Sequence, residues 1–146
     1  KVPNFTAENQ DFKIGEALYL DEGTDVSIFA TGHLVWQALE AAKKLKEEGI
    51  SAEVINIHTI KPLDHNAILE SARKTKCVVT AEEHQMNGGL GDSIAQLLIR
   101  ELPTPLEMVA MNDSFGESGP PMKLMEKYGL TSKEIITSAK KVINRK

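Results

Sequence analysis

VVTAEEHQMNGGLGDSIAQLL (residues 78–98) changes period partway along. It opens inside an apolar run, CVVTA (77–81), whose β-branched residues suit a buried strand. It closes on Leu90, Ile94, Leu97 and Leu98, spaced as one face of a helix over 90–102 that stops before Pro103. Between them lie two acids, a histidine and two glycines, with a third glycine, Gly91, just inside the helix. A strand that runs directly into a helix is half of a parallel α/β unit, so this stretch sets the fold class. It also raises a chemical question: whether the glycine-rich junction is a phosphate cradle, a catalytic site or a tight turn.

The same alternation extends in both directions. VSIFA (26–30), AEVINI (52–57) and LEMVAM (106–111) are nearly continuous apolar runs, as strands covered on both faces are. A weaker strand, KIGEALYL (13–20), precedes a turn at Asp21-Glu22-Gly23. In 33–48, Val35, Ala38, Leu39, Ala42 and Leu45 recur at helical spacing, and Gly49 ends the run as a C-terminal cap. Residues 65–74 place Ile68, Leu69 and Ala72 on one face, with Asp64 as N-cap. A short helix over 121–128 follows Pro120 and Pro121. A last one over 132–144 starts at a capping box, Thr131 to Glu134. Alternating strands and helices require right-handed crossovers and helices on both faces, a three-layer α/β/α domain over 13–146. The polar residues 1–12, with Pro3, Asn4, Asn9 and Gln10, read as a linker, and a start at Lys1 rather than Met reads as a fragment.

Composition narrows the function classes. A chain of 146 residues with 41% apolar and 26% charged residues has enough material for one soluble domain. The net charge of −4 argues against a nucleic-acid partner, which calls for a basic face. Lys43, Lys44 and Lys46 lie among Glu40, Glu47 and Glu48, the pattern of a solvated helix face. No apolar run approaches membrane-spanning length and no signal peptide is visible, so no membrane role is expected. Cys77 has no cysteine partner and sits in an apolar run, which fits a reducing, cytoplasmic setting.

Each candidate site has a structural alternative. Gly88, Gly89 and Gly91 offer backbone N–H groups at a helix start, where phosphates bind. Neither GxGxxG nor GxxxxGK[ST] is present, and glycines there also serve positive φ or close helix–sheet packing. Gly91-Asp92-Ser93 departs from the Gly-Asp-Gly metal motif, and Asn112 falls too early to complete it, so no metal site is expected. His33 and His84 each follow a strand's C-terminal end, the edge where open α/β sheets bind ligands. Glu82 and Glu83 precede His84 and are placed to tune it. His58 and His65 form no metal-type pair with the other two. Ser114-Phe-Gly-Glu-Ser-Gly119 lacks the nucleophile-elbow pattern and reads as a turn.

Three segments together resemble the transketolase C-terminal domain: ATGHLVWQALEAAKKLKEEGISAEVINIHTIKPLD (30–64), VVTAEEHQMNGGLGDSIAQLL (78–98) and NDSFGESGPPMKLMEKYGLTSKEI (112–135). The third is most similar to transketolase itself, especially the split form. Deoxyxylulose-phosphate synthase and the β subunit of 2-oxoacid dehydrogenases close with the same domain and are alternatives, as is an independent nucleotide- or anion-binding α/β module. The resemblance implies a five-stranded mixed sheet in order 1-3-2-4-5 with the first strand antiparallel. A simple hairpin reading would instead pair strands one and two. The implied switch point faces loops Thr31-Gly32-His33 and Glu82-Glu83-His84. With Gly88, Gly89 and Gly91 these form the expected ligand or interface edge. The resemblance also implies a parent that transfers ketol units between sugar phosphates with thiamine diphosphate and Mg²⁺, in the pentose phosphate pathway, as a dimer. Residues 1–12 would then link to an absent pyrimidine-binding domain. The cofactor-bearing pyrimidine and diphosphate domains or subunit are the implied partners. This chain is expected to bind no cofactor and to supply no catalytic residue.

Overall fold

The computed structural model describes residues 3–6 and 8–146. The linker expected over 1–12 therefore falls partly on residues 1, 2 and 7, which lie outside the described residues. Five strands, β1 (Leu18–Asp21), β2 (Val26–Ala30), β3 (Ala52–Asn56), β4 (Val78–Gln85) and β5 (Leu106–Met111), form one sheet in the order β1-β3-β2-β4-β5. β1 runs antiparallel to β3, and every other pair is parallel. The mixed sheet implied by the resemblance is therefore correct, and the hairpin pairing of strands one and two does not occur.

Three helices separate the strands from β2 onward, α1 (Leu34–Glu47), α2 (His65–Thr75) and α3 (Leu90–Glu101), and two follow β5, α4 (Pro121–Lys127) and α5 (Ser132–Ile143). The period-two alternation of β2 divides the core. Val26, Ile28 and Ala30 pack under α1 and α5, together with Val79 and Ala81 of β4. Phe29 packs on the opposite face with Ile68 of α2 and Leu90, Ile94 and Leu98 of α3. This is the three-layer arrangement read from the sequence. Among the described residues no helix is long and apolar enough to cross a membrane.

Local chemistry sets the element ends. Gly49, at φ 81°, lets the Ile50 N–H reach the Leu45 carbonyl at 2.9 Å and its own N–H reach that of Lys46 at 3.0 Å, closing α1. Asp64 caps α2 by accepting from Ala67 N at 3.0 Å, and its other oxygen accepts from Ala17 N at 2.8 Å. Thr131 accepts from Lys133 N at 3.3 Å, while its hydroxyl bonds the Glu134 carboxylate. The capping residues are those expected, but Glu134 holds the hydroxyl rather than a backbone N–H. Buried Gln37 of α1 completes the end of α5 by accepting from Ser132 N at 2.7 Å. Cys77 is fully buried, and its Sγ lies 3.2 Å from the Asp25 carbonyl. Burial pushes the thiol pKa up, which leaves the thiol inert.

Two strand boundaries differ from expectation. β1 begins at Leu18 rather than at residue 13, because Gly15 adopts φ 83° and Glu16 N bonds Lys13 O at 3.1 Å, making a turn. β4 continues to Gln85, so Glu82, Glu83 and His84 lie on the strand and not on a loop leaving it. Its pairing with β5 is irregular there: four steps from Ala81 to Gln85 match two from Val109 to Met111. Such a bulge frees side chains to be re-aimed.

β5 closes the far edge of the sheet. There Glu107 accepts from Lys141 Nζ at 2.8 Å and pairs with Arg145, whose Nη1 also bonds the Leu106 carbonyl at 3.1 Å. Burial works against ionisation of Glu107, but hydrogen bonds from Lys141 and Arg145 outweigh it and hold the carboxyl pKa below its ordinary value. A lowered carboxyl pKa stabilises the fold above the usual glutamate range, and that contribution is lost as pH falls through the lowered value. Glu107→Gln is therefore expected to destabilise the protein at neutral pH. Denaturant titrations at falling pH should show its deficit relative to wild type shrinking to nothing in acid.

Candidate functional site

The C-terminal ends of β2, β3 and β4 form one edge, and the candidate residues gather along it. Alternation on β4 continues through the bulge and separates the two acids. Glu82 follows Thr80 toward the α3 face, and Glu83 follows Ala81 toward the α1 face.

Glu82 is 1% exposed and is fully used. Its Oε1 accepts from Leu90 N at 2.8 Å and its Oε2 from Gly91 N at 2.7 Å. These are two of the four N–H groups that a helix start leaves without an intrahelical partner. The carboxylate also sits at the positive end of the α3 dipole. One turn on, Asp92 Oδ2 accepts from Gly88 N at 2.6 Å and closes the loop. The phosphate-like position at this helix start is thus filled by the protein's own carboxylate.

The glycines make that arrangement possible by close approach. A Cβ on Gly89 would collide with Glu82 Oε1 and lie 2.8 Å from the Gln85 carbonyl oxygen. One on Gly91 would lie 2.8 Å from Met108 Sδ and 3.0 Å from Thr80 Oγ1. Neither has a positive φ, and the left-handed position in the loop belongs to Gly88, at φ 82°.

Glu83 is outward and half-exposed. Its Oε2 lies 2.8 Å from His33 Nδ1, joining the end of β4 to the start of α1. His84 turns away, with Nδ1 3.1 Å from the Gln85 carbonyl oxygen. Two open grooves flank these groups. One, of about 430 Å³, is lined by Thr31, Gly32, Ile60, the strand end from Glu82 to His84, and the Gly88–Gly89 wall. The other, of about 450 Å³, runs from His33 and Glu83 to Leu124, Tyr128 and Leu130 beneath α4. All nine expected edge residues are close to this junction, but they divide by role. Glu82, Gly89 and Gly91 face inward and hold α3. His33, Glu83 and His84 face outward.

Sequence reading left two residues and one pairing out of the edge. His58 packs edge-on to Phe12, with ring centroids 5.3 Å apart, and Ile60 lines a groove. Their position just after the strand 52–57 was the available signal. The missed pairing is that of Glu82 with the helix start, which spans a loop too long for the capping-box pattern.

A diphosphate–metal group does not fit these residues. The helix-start amides and both nearby carboxylates, Glu82 and Asp92, are already paired with one another. Asp92 stands in the first turn of α3 and Asn112 just beyond β5. Among the described residues no three His, Cys, Asp or Glu side chains gather as metal ligands.

Fold and edge together define an open α/β domain with its exposed chemistry at the strands' C-terminal ends. The family profile described as "Transketolase, C-terminal domain" matches residues 15–135, and the chain belongs to that family. It is 50% identical over 140 residues to the 6-deoxy-6-sulfo-D-fructose transketolase subunit SqwH of Clostridium sp. (strain MSTE9), covering 96% of this chain and 44% of that one. It is 42% identical over 125 residues to 1-deoxy-D-xylulose-5-phosphate synthase 1 of Geobacter sulfurreducens, covering 84% of this chain and 20% of that one. A solved structure titled "Split gene transketolase, inactive beta4 tetramer" superposes with TM-score 0.94 at 45% identity, over 98% of this chain and 47% of that one. The chain therefore spans less than half the length of these relatives.

The clasp predicts the effect of filling its space. Gly89→Ala is expected to cost on the order of 1–3 kcal/mol, the usual range for overpacking, because Glu82 has no other buried position. Thermal melts should show the loss equally with and without phosphate. An unchanged melting temperature would mean that the glycine serves something other than packing.

Proposed function

We propose that this chain is the non-catalytic C-terminal domain of a thiamine-diphosphate-dependent transketolase of the split type, supporting subunit assembly. The observation that carries the reading is the closed helix start, where Glu82 takes the amides a cofactor phosphate would need. The cofactor supplies a carbanion-stabilising centre when bound, and no step of that chemistry passes through residues of this chain. The parent's pyrimidine-binding and diphosphate-binding domains, or a subunit that carries them, are the proposed partners. Residues 1–12 are the proposed linker toward them. A dimeric parent in the cytoplasm completes the reading.

Ketol transfer between sugar phosphates is the proposed reaction of the parent, as in the pentose phosphate pathway. The name of the Clostridium relative adds a sulfonated ketose, 6-deoxy-6-sulfo-D-fructose, as a candidate donor. The likeness to deoxyxylulose-phosphate synthase supports a second parent, because that enzyme too matches over most of this chain. The outward groups, His33, Glu83 and His84 with Thr31, Gly32 and Gly88, are the proposed contact surface for the partner domains. A polar, half-exposed ion pair beside two open grooves suits the rim of an interface.

Two measurements test this. Calorimetry of the chain with thiamine diphosphate and Mg²⁺ should show no saturable heat, and saturable binding would overturn the non-catalytic reading. Sedimentation at micromolar concentration should show a monomer or weak self-association. A tight dimer would make this domain the driver of assembly.

A further inference from the structure

We infer that residues 112–119 form a hinged strap whose Phe115 closes into the groove beneath α4. Asn-Asp-Ser-Phe-Gly-Glu-Ser-Gly joins β5 to α4, and its one large apolar residue, Phe115, stands in solvent at 99% exposure. A phenyl ring left in water forgoes the burial that aromatic side chains ordinarily gain. Beside it runs the groove of about 450 Å³, with apolar surface from Met111, Leu124, Met125, Tyr128 and Leu130. Gly116, the next residue after Phe115, lines that groove, so the ring starts at its lip. Against the described residues, α4 buries none of its seven side chains fully, which leaves its underside short of a packing partner.

Two features let the strap move. It leaves β5 through Asp113 at φ 44°, a conformation that a non-glycine residue holds only at a cost. A Cβ on Gly116 would meet nothing within 4 Å among the described residues, so the chain is unpacked at that hinge. Three polar contacts hold the strap open. Gln85 Nε2 donates to the Ser114 carbonyl at 2.8 Å, the Tyr128 hydroxyl donates to the Phe115 carbonyl at 3.2 Å, and Lys127 Nζ pairs with Glu117 at 2.6 Å. All three lie at the surface, where such contacts contribute little. Their sum and the burial of one phenyl ring are of the same order, which poises the strap near balance. Its meaning for assembly rests on the contact surface proposed above: a closed strap withholds the groove beside His33 and Glu83 from the partner domains.

The test places an indole at the strap's tip, Phe115→Trp, in a Trp36→Phe background that removes the chain's one tryptophan. Iodide quenching is read with the tethers intact and after Gln85→Ala and Tyr128→Phe remove two of them. Their removal should lower the quenching constant about twofold, the change that closing in roughly half the molecules produces. Dilution should not alter it, and a further Leu124→Lys, which puts a charge in the groove, should restore the starting value. Quenching unmoved by tether removal would overturn the inference. So would protection that survives Leu124→Lys, and so would protection that fades on dilution, which would place the ring in a second copy's groove. Should a variant fail to fold, nuclear Overhauser contacts from the Phe115 ring to the Leu124 and Met125 methyls of the unaltered chain serve instead, and their absence would sink the idea. Quenching reads closure in the chain alone, so its failure is distinct from a failure of the calorimetry or sedimentation above.

Discussion

The bond pair from Glu82 to the first turn of α3 holds this domain's functional edge together. A buried carboxylate left unpaired costs several kcal/mol, so the side chain cannot be idle there. Paired with two backbone donors at the positive end of a helix, it becomes a clasp of charge-assisted hydrogen bonds. The clasp requires that Gly89 and Gly91 lack side chains and that β4 run past Ala81 with its alternation intact.

The same alternation gives the neighbouring acid a different task. Glu83 emerges on the opposite face and meets His33 at the start of α1. Two consecutive residues of one type therefore serve separate layers, one sealing the α3 side and the other presenting a polar pair to solvent. The proposed contact surface and the structural clasp are thus one residue apart, which explains why the EEH triplet resists any single reading.

Much of this was legible in the sequence. The apolar runs and helical stripes located the strands and the four longer helices, because buried strands and amphipathic helices must carry those periods, and two prolines marked the short helix α4. The strand order was not legible from periodicity, since nothing local tells β1 to pair with β3; it came from the resemblance of whole segments. The true start of β1 was hidden because Gly15 sits within an otherwise strand-like run, and only its left-handed conformation makes the turn. At the site, the edge residues were identifiable from their place after strand ends. Their division into inward and outward groups was not, because it depends on β4 extending through a bulge. The Glu82 clasp joins residues eight and nine positions apart, beyond the reach of any capping pattern.

Buried polarity also governs the same face of the sheet further along, where α2 packs. Glu53 of β3 is fully buried under α2, bonded to Ser71 and paired with Lys74, and Ser71 in turn meets Ser27 of β2 at 2.6 Å. Thr75, one turn further along α2, bonds the same Ser27 hydroxyl at 2.6 Å. An apolar helix face can slide along an apolar sheet at little cost, but this one cannot. Moving α2 by a turn would strip Glu53 of both partners at once, a loss of about 3–5 kcal/mol for a broken buried pair. The network works as a vernier: oil-like packing decides that α2 lies on the sheet, and five polar side chains decide where along it.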